Sequence, residues 1–197
     1  MKKLLIATTN KGKCREIKKI LAGLPCQIIC LSEFDSFPDV VEDKKTFLGN
    51  SKKKAKEIFN SLKIPVIADD SGLSVEQLKG RPGVYSARYA GENATDNDNN
   101  EKLISELKDF PLPHKAKFIS VAVYYDGVNY ISARGELEGK IIIKPMGSNG
   151  FGYDPHFIPA GYKNTLAELS LEEKNKISHR AKAFNQLKGR IIKELSD

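Results

Sequence analysis

The sequence predicts an α/β protein with a mixed β-sheet, and three observations carry that reading. Short apolar runs alternate with helical stripes up to Val75, a β-former-rich stretch spans Ala116 to Ile143, and the chain ends on a helical pattern. Residues 3–8 (KLLIAT) read as a buried strand, and Cys14, Ile17, Ile20 and Leu21 then form a helical stripe through about Ala22. Gln27 to Leu31 reads as a second strand, and Ser32 to Lys45 as a loop gathering Asp39, Glu42 and Asp43. A helix follows from Thr46 to about Leu62, with Phe47, Ser51, Ala55, Ile58, Phe59 and Leu62 inward. After the break at Pro65, Val66-Ile67-Ala68 is a short strand that ends at Asp69-Asp70-Ser71-Gly72, with Leu73 to Val75 extended beyond it.

Gly80 to Gly91 reads as a long irregular loop, and Thr95-Asp96-Asn97-Asp98 as a capping-box variant opening a helix to about Lys108. Asp96, Asp98 and Asn100 also mimic the start of a calcium loop, but Glu101 and Leu107 occupy the positions that need glycine and glutamate. Val121, Val123 and Tyr125 alternate against Ala122 and Tyr124, and Asp126-Gly127 marks a hairpin. A loop covers 147–154, and Phe184, Leu187, Ile191 and Leu195 stripe a final helix.

With 197 residues, 40% of them hydrophobic and 29% charged, the chain fits one ordered domain over residues 1–197. No apolar run approaches the roughly 18 residues of a membrane span. The start MKKLLIATTNKGK resembles an export signal only as far as Ala7, so a first strand and a cytoplasmic location are expected. The three cysteines, Cys14, Cys26 and Cys30, lack a second ligand pair for zinc and read as reduced thiols. The net charge of +7 fits nucleic acid, a polyanionic small molecule or a solvated surface. Aromatics at 8%, no tryptophan and no stacking platform among the lysines argue against nucleic acid.

Five elements bear chemistry. Thr8-Thr9-Asn10-Lys11-Gly12-Lys13 joins a strand to a helix, where free N–H groups and lysines suit a phosphate, although a plain turn would look alike. Asp69 and Asp70 stand side by side at a strand end, a costly arrangement that a divalent cation relieves. Strand alternation aims the two side chains apart, so one faces the metal and the other supports it. Asn50 and Lys54 share a face of the helix from Thr46, with Glu42 just upstream, which would place an acid for metal beside a lysine for phosphate, although alone such a pattern is most often a solvated helix. In Gly150-Phe151-Gly152-Tyr153-Asp154 the glycines let the backbone approach a planar ligand on which Phe151 could stack; a turn around a core aromatic would read the same way. Lys174 and Ser178-His179-Arg180 lie at the entry to the last helix, with Ser178 as its N-cap and donors where a base edge or phosphate could be read, although a lone His-Arg pair is more often surface than site.

Taken together, ATTNKGK (7–13), TFLGN with its following lysine (46–54), ADDSGL (68–73), RPGVYSARYAG (81–91), NGFGYDPHF (149–157) and EEKNKISHRAKAF (172–184) closely resemble the non-canonical purine nucleoside triphosphate pyrophosphatases, the inosine triphosphatase-like family. The resemblance covers essentially the whole chain. It implies a long twisted mixed sheet flanked by helices, two lobes with a central nucleotide-binding cleft, a homodimer, and Mg2+-dependent hydrolysis of ITP, dITP and XTP to the monophosphate and pyrophosphate. It gives proton acceptance and metal binding to Asp70, a second metal contact to Glu42, and the triphosphate to Thr8 to Lys13 and Lys54. Ser71 becomes a substrate contact, Phe151 to Asp154, Lys174, His179 and Arg180 hold base and sugar, and Asp69 and Asn50 support the site. The family often has an acid where Gly49 stands, so the metal shell near Glu42 is the least anchored part of this assignment.

Overall fold

The computed structural model describes residues 2–196. Its elements are β1 Lys3–Ile6, α1 Lys11–Leu21, β2 Gln27–Cys30, α2 Phe47–Leu62, β3 Val66–Val75, α3 Asp96–Leu107, β4 His114–Tyr125, β5 Tyr130–Ile141, β6 Phe157–Pro159, α4 Leu171–Ile177 and α5 His179–Ser196. The strands form one sheet in the order β2-β1-β3-β4-β5-β6. β1 runs parallel to β2 and β3, whereas β5 and β6 are antiparallel, so the sheet is mixed as the sequence predicts.

The chain divides into two compact units, neither of them a continuous stretch. Unit 1 takes the segment ending at Asp70, then Ser120–Gly135 and the segment starting at Arg180, and unit 2 takes Ser71–Ile119 and Glu136–His179. In unit 1 the stripe of α1 (Ile17, Ile20, Leu21) and that of α5 (Phe184, Leu187, Ile191) share one core with Leu4, Ile6 and Ile67. Burial of these apolar faces is what holds both helices against the strands. In unit 2 the core gathers Leu73 and Val75 from β3, Leu103 and Leu107 from α3, Phe118 from β4, and Phe157 and Leu166.

α2 begins as the sequence predicts, with Thr46 as N-cap and its Oγ1 accepting from the Gly49 N–H at 3.0 Å. Gly49 is the third residue of this helix, where an acid would complete a reciprocal capping box. A Cβ there would lie 2.9 Å from the Lys44 Cβ, so the local chain is fitted to glycine.

Three expectations are corrected. The aspartate pair does not end a strand, because β3 runs unbroken from Val66 to Val75. Aspartate disfavours strands through poor packing and burial; here cationic partners offset that penalty at Asp69, while Asp70 is hydrogen-bonded by Asn50. Second, Cys14 and Cys30 are joined by a disulfide, with Cα atoms 6.5 Å apart, and only Cys26 is a free thiol among the described residues. Ile6 pairs with Cys30 in the sheet and α1 opens shortly after Ile6, so its first turn reaches the end of β2. Burial pushes the Cys26 thiol up. Third, the loop after Gly80 contains a 3-10 turn over Gly83–Arg88, and α4 is a helix of its own, with Ser178 at its C-terminal end immediately before α5. Among the described residues no helix is long and apolar enough to cross a membrane.

The connection between β4 and β5 is fixed by Asp126, whose carboxylate accepts from the Val128 and Asn129 N–H groups at 2.8 and 2.7 Å. Gly127 sits at φ +104, and a Cβ there would come within 2.4 Å of the Phe59 ring. Gly127→Ala therefore combines backbone strain with overpacking and is expected to cost about 2 kcal/mol. Urea unfolding monitored by circular dichroism checks this, and an unchanged midpoint would contradict it.

Candidate active site

Unit 1 assembles its polar centre on β3. Asp69 and Asp70 are both buried, at 2% and 4% exposure, and alternation sends them to different partners. The Asp69 carboxylate receives the Arg180 Nε at 3.4 Å and lies 3.8 Å from the Lys13 ammonium. Burial alone would raise its pKa, but the charges of Lys13, Arg180 and Lys54 outweigh that and hold it well below the usual carboxylate range.

Asp70 has the opposite environment. Burial, reinforced by the negative charge of Glu42, pushes its pKa up to about 6, against the pull of the Asn50 hydrogen bond and of Lys13 and Lys54. The Asn50 amide donates to Asp70 Oδ2 at 2.9 Å, and its own oxygen accepts from the Lys44 N–H at 2.8 Å. That second bond fixes which end of the amide faces Asp70. Lys54, one turn further along α2, pairs with Glu42 and donates to the Asp69 backbone oxygen at 3.1 Å. Its own burial opposes the charge, but Glu42 and Asp69 prevail and its pKa is raised. Ser71 follows Asp70 in β3 and is half-buried.

The turn from β1 into α1 is anchored by the Ala7 N–H on Ile67 O at 2.8 Å. Asn10 caps α1 by accepting from the Lys13 N–H at 2.9 Å, and its own N–H donates to Thr8 Oγ1 at 3.2 Å. Thr9, Asn10 and Lys11 are exposed and Gly12 is half-buried, so the first N–H groups of α1 are accessible to an anion. Arg180, the second residue of α5, turns inward: its Nη1 donates to Glu16 Oε2 at 2.5 Å, and both side chains are buried. Glu16 escaped the sequence reading. Its signal is an acid one position before Ile17 and four before Ile20, inside the buried stripe of α1.

Unit 2 holds the Phe151 loop. Asp154 accepts from the Phe151 N–H at 3.0 Å and from the Lys174 ammonium at 2.6 Å, the latter pair being buried. The same ammonium lies 4.7 Å from the centroid of the half-buried Phe151 ring, so one cation serves the carboxylate and the ring. A Cβ at Gly150 would meet Asp154 Oδ2 at 2.1 Å, which requires glycine there. The Tyr153 hydroxyl, pushed up by burial, donates to Ser86 O at 2.8 Å. His179 stacks on Phe118, with centroids 4.7 Å apart and planes 11° from parallel. The adjacent His179 and Arg180 thus serve different units.

Among the described residues no three His, Cys, Asp or Glu side chains cluster. Glu42 and Asp70 are the carboxylates that could hold a hard cation such as magnesium, which keeps waters and takes phosphate oxygens for the rest of its shell. A zinc or calcium cage would need more protein ligands. A cavity of about 710 Å³ opens beside Lys115, Glu138, Lys140 and Tyr162 in unit 2, and no predicted site residue lines it.

Comparison with known proteins bears on this arrangement. The family model described as "Ham1 family" matches residues 4–190. The chain is 48% identical to the dITP/XTP pyrophosphatase of Geobacter sulfurreducens, covering 97% of each, and 45% identical to that of Clostridium tetani over the whole of both. Among solved structures it superposes on a HAM1 protein from Coxiella burnetii with a TM-score of 0.89 at 36% identity, covering 98% of this chain and 100% of that one. The Staphylococcus aureus Ham1 protein gives a TM-score of 0.86 at 39% identity with the same coverage. Sequence and structure agree along nearly the full length, which bears out the resemblance read from the motifs: the chain belongs to the Ham1 family.

Proposed function

We propose that this protein hydrolyses non-canonical purine nucleoside triphosphates (dITP, ITP and XTP) to the nucleoside monophosphate and pyrophosphate, removing them from the nucleotide pool. In this reading it is a magnesium-dependent, cytoplasmic homodimer, the state and place that the resemblance implies. Relatives named dITP/XTP pyrophosphatase support the substrate class. The observation that carries the chemistry is Asp70, a buried carboxyl raised to about 6 and oriented by Asn50. A general base works best with a pKa near the working pH.

Hydrolysis of a phosphoanhydride needs alignment and charge neutralisation more than covalent chemistry. The N–H groups of Lys11 and Gly12, with Thr8, Thr9, Asn10, Lys13 and Lys54, would hold the triphosphate, and Ser71 would contact it beside Asp70. Glu42 and Asp70 would hold Mg2+, which when bound supplies positive charge against the phosphate oxygens. Asp70 takes the proton from the attacking water. Phe151 stacks on the base, while Gly152, Tyr153, Asp154, Lys174 and His179 shape the base and sugar side. Arg180 contributes from within, through its grip on Asp69 and Glu16.

A site that hydrogen-bonds its ligand can reject a mismatched one by up to about 10⁴–10⁵, since its own groups are left unpaired. A substrate panel read by pyrophosphate release, with and without magnesium, tests the reading. Preference for ATP or dCTP would sink it. Asp70→Asn keeps the Asn50 contact region filled, so the fold should survive while kcat falls by about 10²–10⁴. Near wild-type turnover of dITP by that variant would remove Asp70 from the mechanism.

The pH profile gives a separate check. Asp70 is largely protonated below about 6 and ionised above it, so activity should rise with pH through that region. Protons and magnesium compete for the ionised form. Raising magnesium should therefore move the acidic limb of kcat/KM to lower pH, whereas a limb indifferent to magnesium would argue against metal binding at Asp70.

A further inference from the structure

The polar run at the start of α3 has more to do than cap a helix. Thr95 and Asp98 form the capping box, each satisfying the other's backbone N–H. Asn99 reaches the preceding loop, accepting from the Ala90 N–H at 2.8 Å and donating to Ala87 O at 3.2 Å. Asp96 and Asn100, four residues apart and so on one face, both turn to Gly152. The Gly152 N–H donates to Asp96 Oδ2 at 2.6 Å, and the Asn100 amide donates to Gly152 O at 3.0 Å. Together they clip this one residue through its N–H and its C=O.

Gly152 adopts φ +62, and a Cβ there would meet nothing within 4 Å, so glycine is needed for its backbone conformation and not for space. Asn100 is 9% exposed, while Asp96 is on the surface. The hydrogen bonds of Phe151 and Tyr153 fix the neighbouring residues, Phe151 through Asp154 and Tyr153 through Ser86. The Phe151–Gly152 peptide is also held through its carbonyl, which accepts from the Asp154 N–H at 3.3 Å. The α3 clip adds one bond to each of the two peptides flanking Gly152, about which the Phe151 ring would swing, and it holds the Gly152 carbonyl through Asn100.

We propose that Asp96 and Asn100 are positioning residues for base recognition: they hold the backbone at Gly152 so that Phe151 presents its ring to the purine. The inference rests on the nucleotide pyrophosphatase reading. It assigns no ligand contact to either residue. Their effect on catalysis passes through the pose of the base and leaves the phosphate-binding groups of unit 1 untouched.

The two halves of the product separate these effects. Inhibition by dIMP reports the base side, and inhibition by pyrophosphate reports the phosphate side. Asp96→Ala and Asn100→Ala should each raise the dIMP inhibition constant and the KM for dITP by about tenfold, the size of one charge-assisted or buried hydrogen bond. Pyrophosphate inhibition should stay within about twofold and kcat within about threefold, since no atom of the reacting centre moves. Asp96→Asn keeps a carbonyl acceptor for the Gly152 N–H and should return most of the dIMP affinity. Equal weakening toward dIMP and pyrophosphate would mark a general structural defect and overturn the proposal, as would dIMP inhibition unchanged in both alanine variants. Should the buried Asn100→Ala not fold, the exposed Asp96 pair decides alone. If the wild-type protein hydrolyses neither dITP nor XTP, it is the underlying reading that fails.

Discussion

The charge on Asp69 is the constraint around which unit 1 is arranged. An ionised carboxylate in the middle of a buried strand carries a desolvation penalty of several kcal/mol unless cations and hydrogen bonds answer it. Here Lys13 from the first turn of α1, Lys54 from α2 and Arg180 from the start of α5 all act on it. Three segments far apart in sequence are thereby tied to one position of β3. Arg180 in turn needs Glu16 to balance its second face, and the acid inside the apolar stripe of α1 follows from that requirement.

That neutralisation is also what lets Asp70 differ from its neighbour. Two adjacent carboxyls with the same surroundings would compete for the same cations and share a similar titration. Strand alternation removes Asp70 from the Arg180 side and gives it an uncharged donor, Asn50, together with the repulsion of Glu42. One carboxyl of the pair is driven down and the other up. Environments that push two acids apart are how a single site separates a permanently charged residue from one able to exchange a proton.

Much of this was legible in the residue order, and the exceptions share a cause. The cap at Thr46, the helix face carrying Asn50 and Lys54, the hairpin at Asp126 and the glycines around Phe151 all follow from rules that act over a few residues. Features that depend on distant partners were hidden. The aspartates read as a strand terminus because nothing local announces Arg180 and Lys13 as counter-charges of Asp69 or Asn50 as the donor to Asp70. Arg180 read as an outward donor beside His179, whereas one step along α5 turns it to Glu16 while His179 stacks on Phe118. Cysteine spacing pointed to free thiols, and the register that sets Cys30 beside Ile6 is invisible to spacing. The likeness to a family supplied roles for single residues, but the partners that make those roles physically possible are set by the fold.

The basic balance of the chain now has a narrower meaning. A net charge of +7 was equally compatible with nucleic acid, a polyanionic small molecule or a solvated surface. Yet Lys13 faces Asp69, Lys54 is paired with Glu42, Lys174 with Asp154, and Arg180 with Glu16 and Asp69. These four cations assigned to ligand binding are thus already matched by acids, whereas Lys11, assigned to the same task, lies exposed at the start of α1. Pairing keeps buried ammonium groups charged, as the raised pKa of Lys54 shows, and spares them the cost of standing alone in a low-dielectric setting. It also means that affinity for a triphosphate cannot be read from net charge. A phosphate competes with a carboxylate for each lysine, so binding is favoured where the phosphate outbids the acid or where a divalent cation occupies that acid. Glu42, assigned to the metal and paired with a phosphate lysine, is where these two equilibria meet.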